Sequence, residues 1–306
     1  MFADAIEKVA NYTRPIKFIS RNYKSETVSP GTATLFFVND DGWAITCKHV
    51  AEILGAAEAV NDSYKSFKTE RASILENAEC EHGIEELEIR YNLGQDKTVE
   101  LLIQALGCVS PISRITYYLH SKHDLAILHF EDFKRIDYQG HAVFVKDSSR
   151  FRPGDYLCRL GYPFPEFTNF KYNLSDDEIC WTEENSISTP RFPIEGMVTR
   201  HLCDENGSVW GIELSTPGLK GQSGGPLFNS DGIVLGMQSA TNHLHLGFDM
   251  IDKHIIVNGE ETVINNQPFL HVGHCIHVDI IKEFLLEKGV KFYIGNKMEE
   301  EEEING

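Results

Sequence analysis

Apolar residues in this chain fall mostly in short runs, separated by Gly, Pro, Asn and Asp. Runs at 17–23 and 32–38 read as strands. Asn39-Asp40-Asp41-Gly42, between the second run and Trp43-Ala44-Ile45, is a hairpin signal, because Asp-Gly supplies the positive φ such turns need. Further strands are predicted near 86–91, 99–106, 114–119 and 125–128, then near 156–160, 196–202, 209–214, 226–228, 233–239 and 269–278. Helical signals are fewer. Ala5, Ile6, Val9 and Ala10 mark a short amphipathic helix over 3–11, which Pro15 interrupts. His49 opens a helical turn through Leu54, and residues 57–85 are polar, charged and compatible with helix. Asp279 is placed to cap a last helix, with Ile280, Ile281, Phe284 and Leu285 as its buried face and Gly289 as its stop. Short strands joined by frequent Gly and Pro turns make an all-β reading. Residues 164–195 and 242–268 read as long irregular excursions, which in compact domains are often lids or binding edges.

Composition narrows the class without naming a chemistry. The 306 residues suffice for a large core, and 42% hydrophobic with 24% charged residues is ordinary for a globular protein. No apolar run is long enough to span a bilayer. The first residues, Met1-Phe2-Ala3-Asp4-Ala5-Ile6-Glu7-Lys8, lack the basic-then-apolar order of a secretory signal, so a cytoplasmic location is expected. Seven cysteines, an odd number without a CxxC pair, read as free and mostly buried thiols in a reducing compartment. A net charge of −18 argues against nucleic acid as a partner, since phosphate binding needs Lys and Arg clusters. Part of that excess lies at 299–303, which reads as a solvated, disordered end.

Candidate chemistry concentrates in Gly221-Gln222-Ser223-Gly224-Gly225-Pro226. Glycines around a serine let the backbone approach a substrate and aim N–H groups at one point, as attack on a carbonyl requires. Upstream, Thr46-Cys47-Lys48-His49-Val50 follows one apolar strand, and His123-Asp124 precedes another, Leu125-Ala126-Ile127-Leu128. Each feature alone is ordinary: a turn serine, a structural histidine, an aspartate capping a strand. Together, in the order His, Asp, Ser, they read as a catalytic triad of the chymotrypsin type of arrangement. His123 is not needed for it.

These stretches resemble the trypsin-like serine peptidases, nearest the bacterial HtrA/Deg-type branch. The resemblance rests on Gly31-Thr32-Ala33-Thr34, Trp43-Ala44-Ile45-Thr46 with His49-Val50, and Asp124-Leu125-Ala126-Ile127-Leu128. It continues through Phe151-Arg152-Pro153-Gly154-Asp155 with Leu160-Gly161-Tyr162-Pro163, then the Ser223 turn and Gly232-Ile233-Val234-Leu235-Gly236. It implies two six-stranded-type β-barrels with the active site between them, a C-terminal helix and a partly helical insertion in the first barrel. The barrels would occupy 1–140 and 141–290, with 291–306 an acidic, disordered tail. The insertion near 57–85 either borders the cleft or decorates the surface. The PDZ domain common in the Deg-type branch is not expected after the last helix.

The resemblance also implies roles. Ser223 would be the nucleophile of a serine endopeptidase, His49 its base, Asp124 the group that orients His49, and the N–H groups of Gly221 and Ser223 the oxyanion hole. The substrate would be a polypeptide, with no cofactor, nucleic acid or membrane involved. Gln222 stands where digestive trypsins carry an aspartate that pairs with a newly cut N-terminus. Activation by clipping is therefore not expected, and ordering by substrate or a protein activator replaces it, as in a regulated processing or effector protease. Pro217 stands where trypsins place the aspartate that reads basic side chains, and with Met237, Gln238 and Ala240 it suggests a pocket for an apolar or small one.

Other readings stay open. Gly221-Gln222-Ser223-Gly224-Gly225 also fits the nucleophile elbow of α/β-hydrolase esterases, with Asp249 and His271 following in order. That fold needs a helix directly after the serine, which Pro226 and the short strands oppose. A catalytically silent binding module on the peptidase scaffold is the other alternative, although all three triad positions are filled. His243, His245, His271, His274 and His277 invite a metal reading. Strand residues three apart face opposite sides, and neither a cysteine pair nor HExxH accompanies them, so structural or surface histidines are expected.

Overall fold

Six of the strands curl into a first barrel. In the computed structural model, which describes residues 2–76, 81–257, 259–298 and 300–306, their order is Thr98–Gln104, Thr13–Asn22, Val28–Phe37, Trp43–Thr46, Ala126–Glu131 and Arg114–Leu119. Pro15, which cannot donate to a ladder, sits where the Thr13–Asn22 strand faces only Thr34; pairing with the Thr98–Gln104 strand begins at Lys17. The second barrel runs Pro226–Phe228, Tyr156–Gly161, Phe192–Cys203, Val209–Leu214, Phe269–His277 and Val234–His245, and the last of these pairs back onto the first to close the ring. Phe36, Leu128, Leu160, Leu227, Val234 and Met237 belong to one apolar cluster, so the barrels share a continuous core. The cleft between them is where the candidate residues lie.

Helices attach to this frame. α1 (Ala3–Ala10) buries Ala5 and Val9. α2 (Lys48–Glu76) starts in the predicted helical turn at His49 but runs on for 29 residues, and α3 (Glu81–Arg90) replaces the strand predicted at 86–91. The reason is a satellite core. Tyr64 and Phe67 of α2 and Leu87 of α3 pack on Tyr23 and Val99 of the first barrel, and Tyr91, four residues after Leu87, closes over them. Residues 77–80 of the insertion, Cys80 among them, lie outside the described residues. α4 (Val278–Glu287) is capped by His277 rather than Asp279: His277 Nδ1 accepts the Asp279 N–H at 3.2 Å. None of the described helices is long and apolar enough to cross a membrane.

Both excursions contain hairpins. Phe170–Asn173 pairs with Glu178–Trp181, and Met250–Val257 with Glu260–Asn266. The first is tied to the barrel and to α2, because Arg21 pairs with Asp177 at 2.9 Å and the Tyr64 hydroxyl donates to the same carboxylate at 2.6 Å.

The tail expected to be disordered is structured where it is described; Glu299 lies outside. Phe292–Gly295 runs parallel to Val143–Val145, and Glu301–Ile304 pairs with it. Phe292 is buried, and Lys146 (2.6 Å to Glu302) and His141 (3.0 Å to Glu301) receive the acidic side chains. The run of glutamates hid a strand whose anchor is aromatic.

Candidate active site

The strand Trp43–Thr46 delivers the chain to Cys47 and α2, which places His49 in the first turn of a helix at the cleft. Helix N-termini leave N–H groups without intrahelical partners, and a carboxylate is favoured there. Asp124, just ahead of the Ala126–Glu131 strand, takes that place. Its Oδ1 accepts the His49 backbone N–H at 3.0 Å, and its carboxylate receives His49 Nδ1 at 2.9 and 3.0 Å. Ser239 Oγ donates to Asp124 Oδ2 at 2.6 Å. Burial pushes the Asp124 carboxyl up, but the bonds from the His49 ring, Ser239 and the His49 N–H outweigh it and hold it at about 2. The bond to Asp124 in turn raises His49 above its ordinary value, against a smaller lowering by burial. A charged, fixed carboxylate therefore favours Nδ1 as the protonated nitrogen and leaves Nε2 without a protein partner among the described residues.

The serine turn is held by close backbone packing. Gln222 N–H donates to the Leu219 carbonyl at 3.0 Å, and Gly221 between them has φ +90°, which a side chain would strain. Gly224 has φ +87°, and a Cβ there would fall 2.1 Å from the Thr34 carbonyl oxygen. The Thr34 N–H donates to the Ser223 carbonyl at 3.0 Å and its hydroxyl to the Gly221 carbonyl at 2.7 Å, so the turn of the second barrel is pinned to the first. Among the described residues, the Gly221 and Ser223 N–H groups donate to no protein acceptor, and no hydrogen bond joins Ser223 Oγ to His49. Gln222 is fully buried. Its Nε2 donates to the Phe192 carbonyl at 3.0 Å and its Oε1 accepts the Leu219 N–H at 3.1 Å, so this neutral side chain ties down the turn.

The remaining predicted residues divide. Pro217 offers its carbonyl to a buried Arg159 at 3.1 Å, and Gln238 Oε1 accepts from the same guanidinium at 2.7 Å. Ala240 is exposed, while Met237 is packed in the barrel core. His243 stands opposite His271, His245 pairs with Asp249, His274 with Glu213, and His277 caps α4. Cys47, His49 and Asp124 bring ligand atoms within 4.8 Å of one another. The Cys47 thiol donates to the Gln238 carbonyl at 3.2 Å, and burial with Asp124 nearby pushes it well up, which keeps it protonated and a poor metal ligand. Beside Asp124 a cleft of about 330 Å³ is lined by Lys122, His123, Trp210, Ser239 and His274. The sequence carried no signal for Ser239 or Arg159, because a serine and an arginine inside apolar strands look like ordinary barrel positions.

The sequence pattern of the trypsin-like peptidase domain matches residues 31–237. The chain belongs to the trypsin-like peptidases. As in the two-barrel fold of that family, a strand rather than a helix follows the serine turn, which removes the α/β-hydrolase alternative. No curated protein matches this trypsin-like chain. Similar solved structures include the HtrA-type protease AlgW with decapeptide (TM-score 0.47, 11% identity, covering 94% of this chain and 67% of that one). A variant of that protease with tripeptide is also similar (TM-score 0.46, 12% identity, covering 94% and 63%).

Proposed function

We propose that this trypsin-like peptidase is a serine endopeptidase acting through Ser223, His49 and Asp124. The polypeptide lies in the cleft between the barrels. His49 Nε2 takes the Ser223 hydroxyl proton as Oγ bonds to the scissile carbonyl carbon. The carbonyl oxygen, now an oxyanion, accepts from the free N–H groups of Gly221 and Ser223. His49 passes its proton to the amide nitrogen, the C–N bond breaks, and an acyl-enzyme remains. Water then attacks that ester with His49 again taking a proton, and the acid product leaves as Ser223 regains its hydrogen. Asp124 stabilises the imidazolium formed in each half.

The observation that carries this reading is the grip on His49: Asp124 holds its ring and its backbone together, and Ser239 holds Asp124 from the other side. A serine hydroxyl needs such a base, and the open Ser223–His49 contact is common before substrate tightens the site. The test is incubation with an unfolded polypeptide such as casein, with new termini read by mass spectrometry. Cleavage that disappears in Ser223→Ala supports the reading. Binding of the polypeptide without any cleavage favours the silent binding module instead.

Two further expectations follow from the same contacts. The kcat/KM should rise with pH, because only the neutral imidazole accepts the serine proton. His49 is raised, so the midpoint should lie above the ordinary value of 6.5. Asp124, held at about 2, stays charged throughout. A midpoint at or below 6.5 would contradict the Asp124 coupling. Ser239→Ala removes one charge-assisted bond and should lower kcat/KM roughly 10-fold while the fold persists; steady-state kinetics beside a melting curve reads both.

Regulation follows Gln222. A neutral amide secures the turn, so no new N-terminus is required, and control passes to substrate or a protein activator. The six described cysteines are all free, which suits an intracellular processing or effector role.

A further inference from the structure

Arg159 lies opposite Leu227, in the strand that leaves the Ser223 turn. Its side chain is fully buried, and among the described residues it enters no ion pair. Arg21, equally enclosed, is paired with both Glu100 and Asp177. The Arg159 guanidinium reaches only neutral acceptors. Nη2 donates to the carbonyls of Thr216 at 3.0 Å and Pro217 at 3.1 Å and to the Thr216 hydroxyl at 2.6 Å, and Nη1 donates to Gln238 Oε1 at 2.7 Å. Its Nε–H has no acceptor among the described residues. Room for the group is built in, since a Cβ on Gly273 would fall 2.2 Å from Nη1.

The place of this cation matters as much as its state. Segment 216–218 leads into the serine turn, and Gln238 directly precedes Ser239 while its carbonyl accepts the Gly224 N–H at 2.9 Å. Thr241 Oγ1 donates to the Gly218 carbonyl at 2.8 Å, joining the two segments whose residues Thr216, Pro217 and Gln238 accept from Arg159. Arginine does not lose its proton in proteins, and an unpaired buried guanidinium is costly. Burial indeed draws its pKa down. The missing counter-charge is one that a substrate can supply.

We infer that Arg159 is a specificity-determining residue that reads a carboxylate on the residue before the scissile bond, so that the enzyme cleaves after Glu or Asp. This rests on the serine endopeptidase reading and replaces the apolar or small side chain expected from Pro217. The acid enters as the Thr241–Gly218 bond parts. Its oxygens take over donors now spent on Gln238 and Thr216 or, at Nε, unused. The planar guanidinium fork suits two carboxylate oxygens, which a neutral amide does not match.

The experiment uses peptides identical except for Glu, Gln or Leu before the cleaved bond, with fluorophosphonate labelling of Ser223 run in parallel. The wild type should cleave the Glu peptide with a kcat/KM roughly 10- to 100-fold above the Gln peptide. Arg159→Gln should erase that ratio while still labelling. Arg159→Lys keeps the charge without the fork and should retain part of the ratio, which covers the case in which Arg159→Gln does not fold. Labelled wild type that cleaves Gln as fast as Glu overturns the assignment to Arg159 and leaves the peptidase intact. So does a full Glu preference surviving in Arg159→Gln. A wild type that never labels removes the peptidase reading and this one with it.

Discussion

Asp124→Asn should lower kcat at pH 7 by about 10,000-fold while the fold persists. The native carboxylate accepts from the His49 ring, the His49 backbone and Ser239 at once. An amide is nearly the same size and still accepts through its one oxygen, so packing survives. What fails is the tautomer. The amide NH2 turned toward Nδ1 makes that nitrogen an acceptor, so the proton moves to Nε2, the atom that must take it from Ser223. The loss of the carboxylate also removes the charge that stabilises imidazolium. The pH profile supplies a second check, because His49 loses the main contact that raises it. A variant that kept more than a tenth of wild-type kcat would show that His49 is not held through Asp124.

The second large effect is expected at Gly224. Alanine there meets the Thr34 carbonyl oxygen at 2.1 Å and the Thr46 hydroxyl at 2.4 Å, at a φ of +87°. The Thr34 contact is to backbone and has no rotamer to yield, so the turn must move off the first barrel. A stability loss of about 2–4 kcal/mol is expected from overpacking and strain together. Displacing Ser223 by even an ångström should cost a further factor of roughly 100 in kcat/KM. Gly207→Ala is the control. Gly207 has a similar φ of +81° but nothing within 4 Å, so it reports strain alone, about 1 kcal/mol. Equal losses at the two positions, by denaturant unfolding, would show that close approach between the barrels does not hold the turn.

The sequence was most legible where backbone geometry forced a residue type. Gly221 and Gly224 adopt conformations and contacts that exclude a side chain, and that necessity marked Ser223. His49 and Asp124 were visible because each adjoins a short apolar strand of the first barrel. Ser239 was not, since its one informative feature is a bond to a residue far away in the chain. Arg159 was hidden for a like reason: that it has no ion-pair partner among the described residues emerges only from the packed barrel. The helical character of 57–85 is legible in its polar, charged composition, but not the continuity of α2 from His49 onward, because its buried contacts are sparse, Val50 and Ala51 at one end and Tyr64 and Phe67 far along. The strand in the tail is masked in the sequence by its run of charge, although the buried Phe292 anchors it. Local necessity could be read from the chain; long-range pairing could not.

On the proposed mechanism His49 and Asp124 activate Ser223, and the rate at which a fluorophosphonate modifies the protein, with the modified residue located by mass spectrometry, reports that activation. Modification at Ser223 alone, absent in Ser223→Ala and slowed at least about 1,000-fold in His49→Ala, is the expected result. Modification that proceeds as fast without His49, or that falls on another residue, would contradict the account.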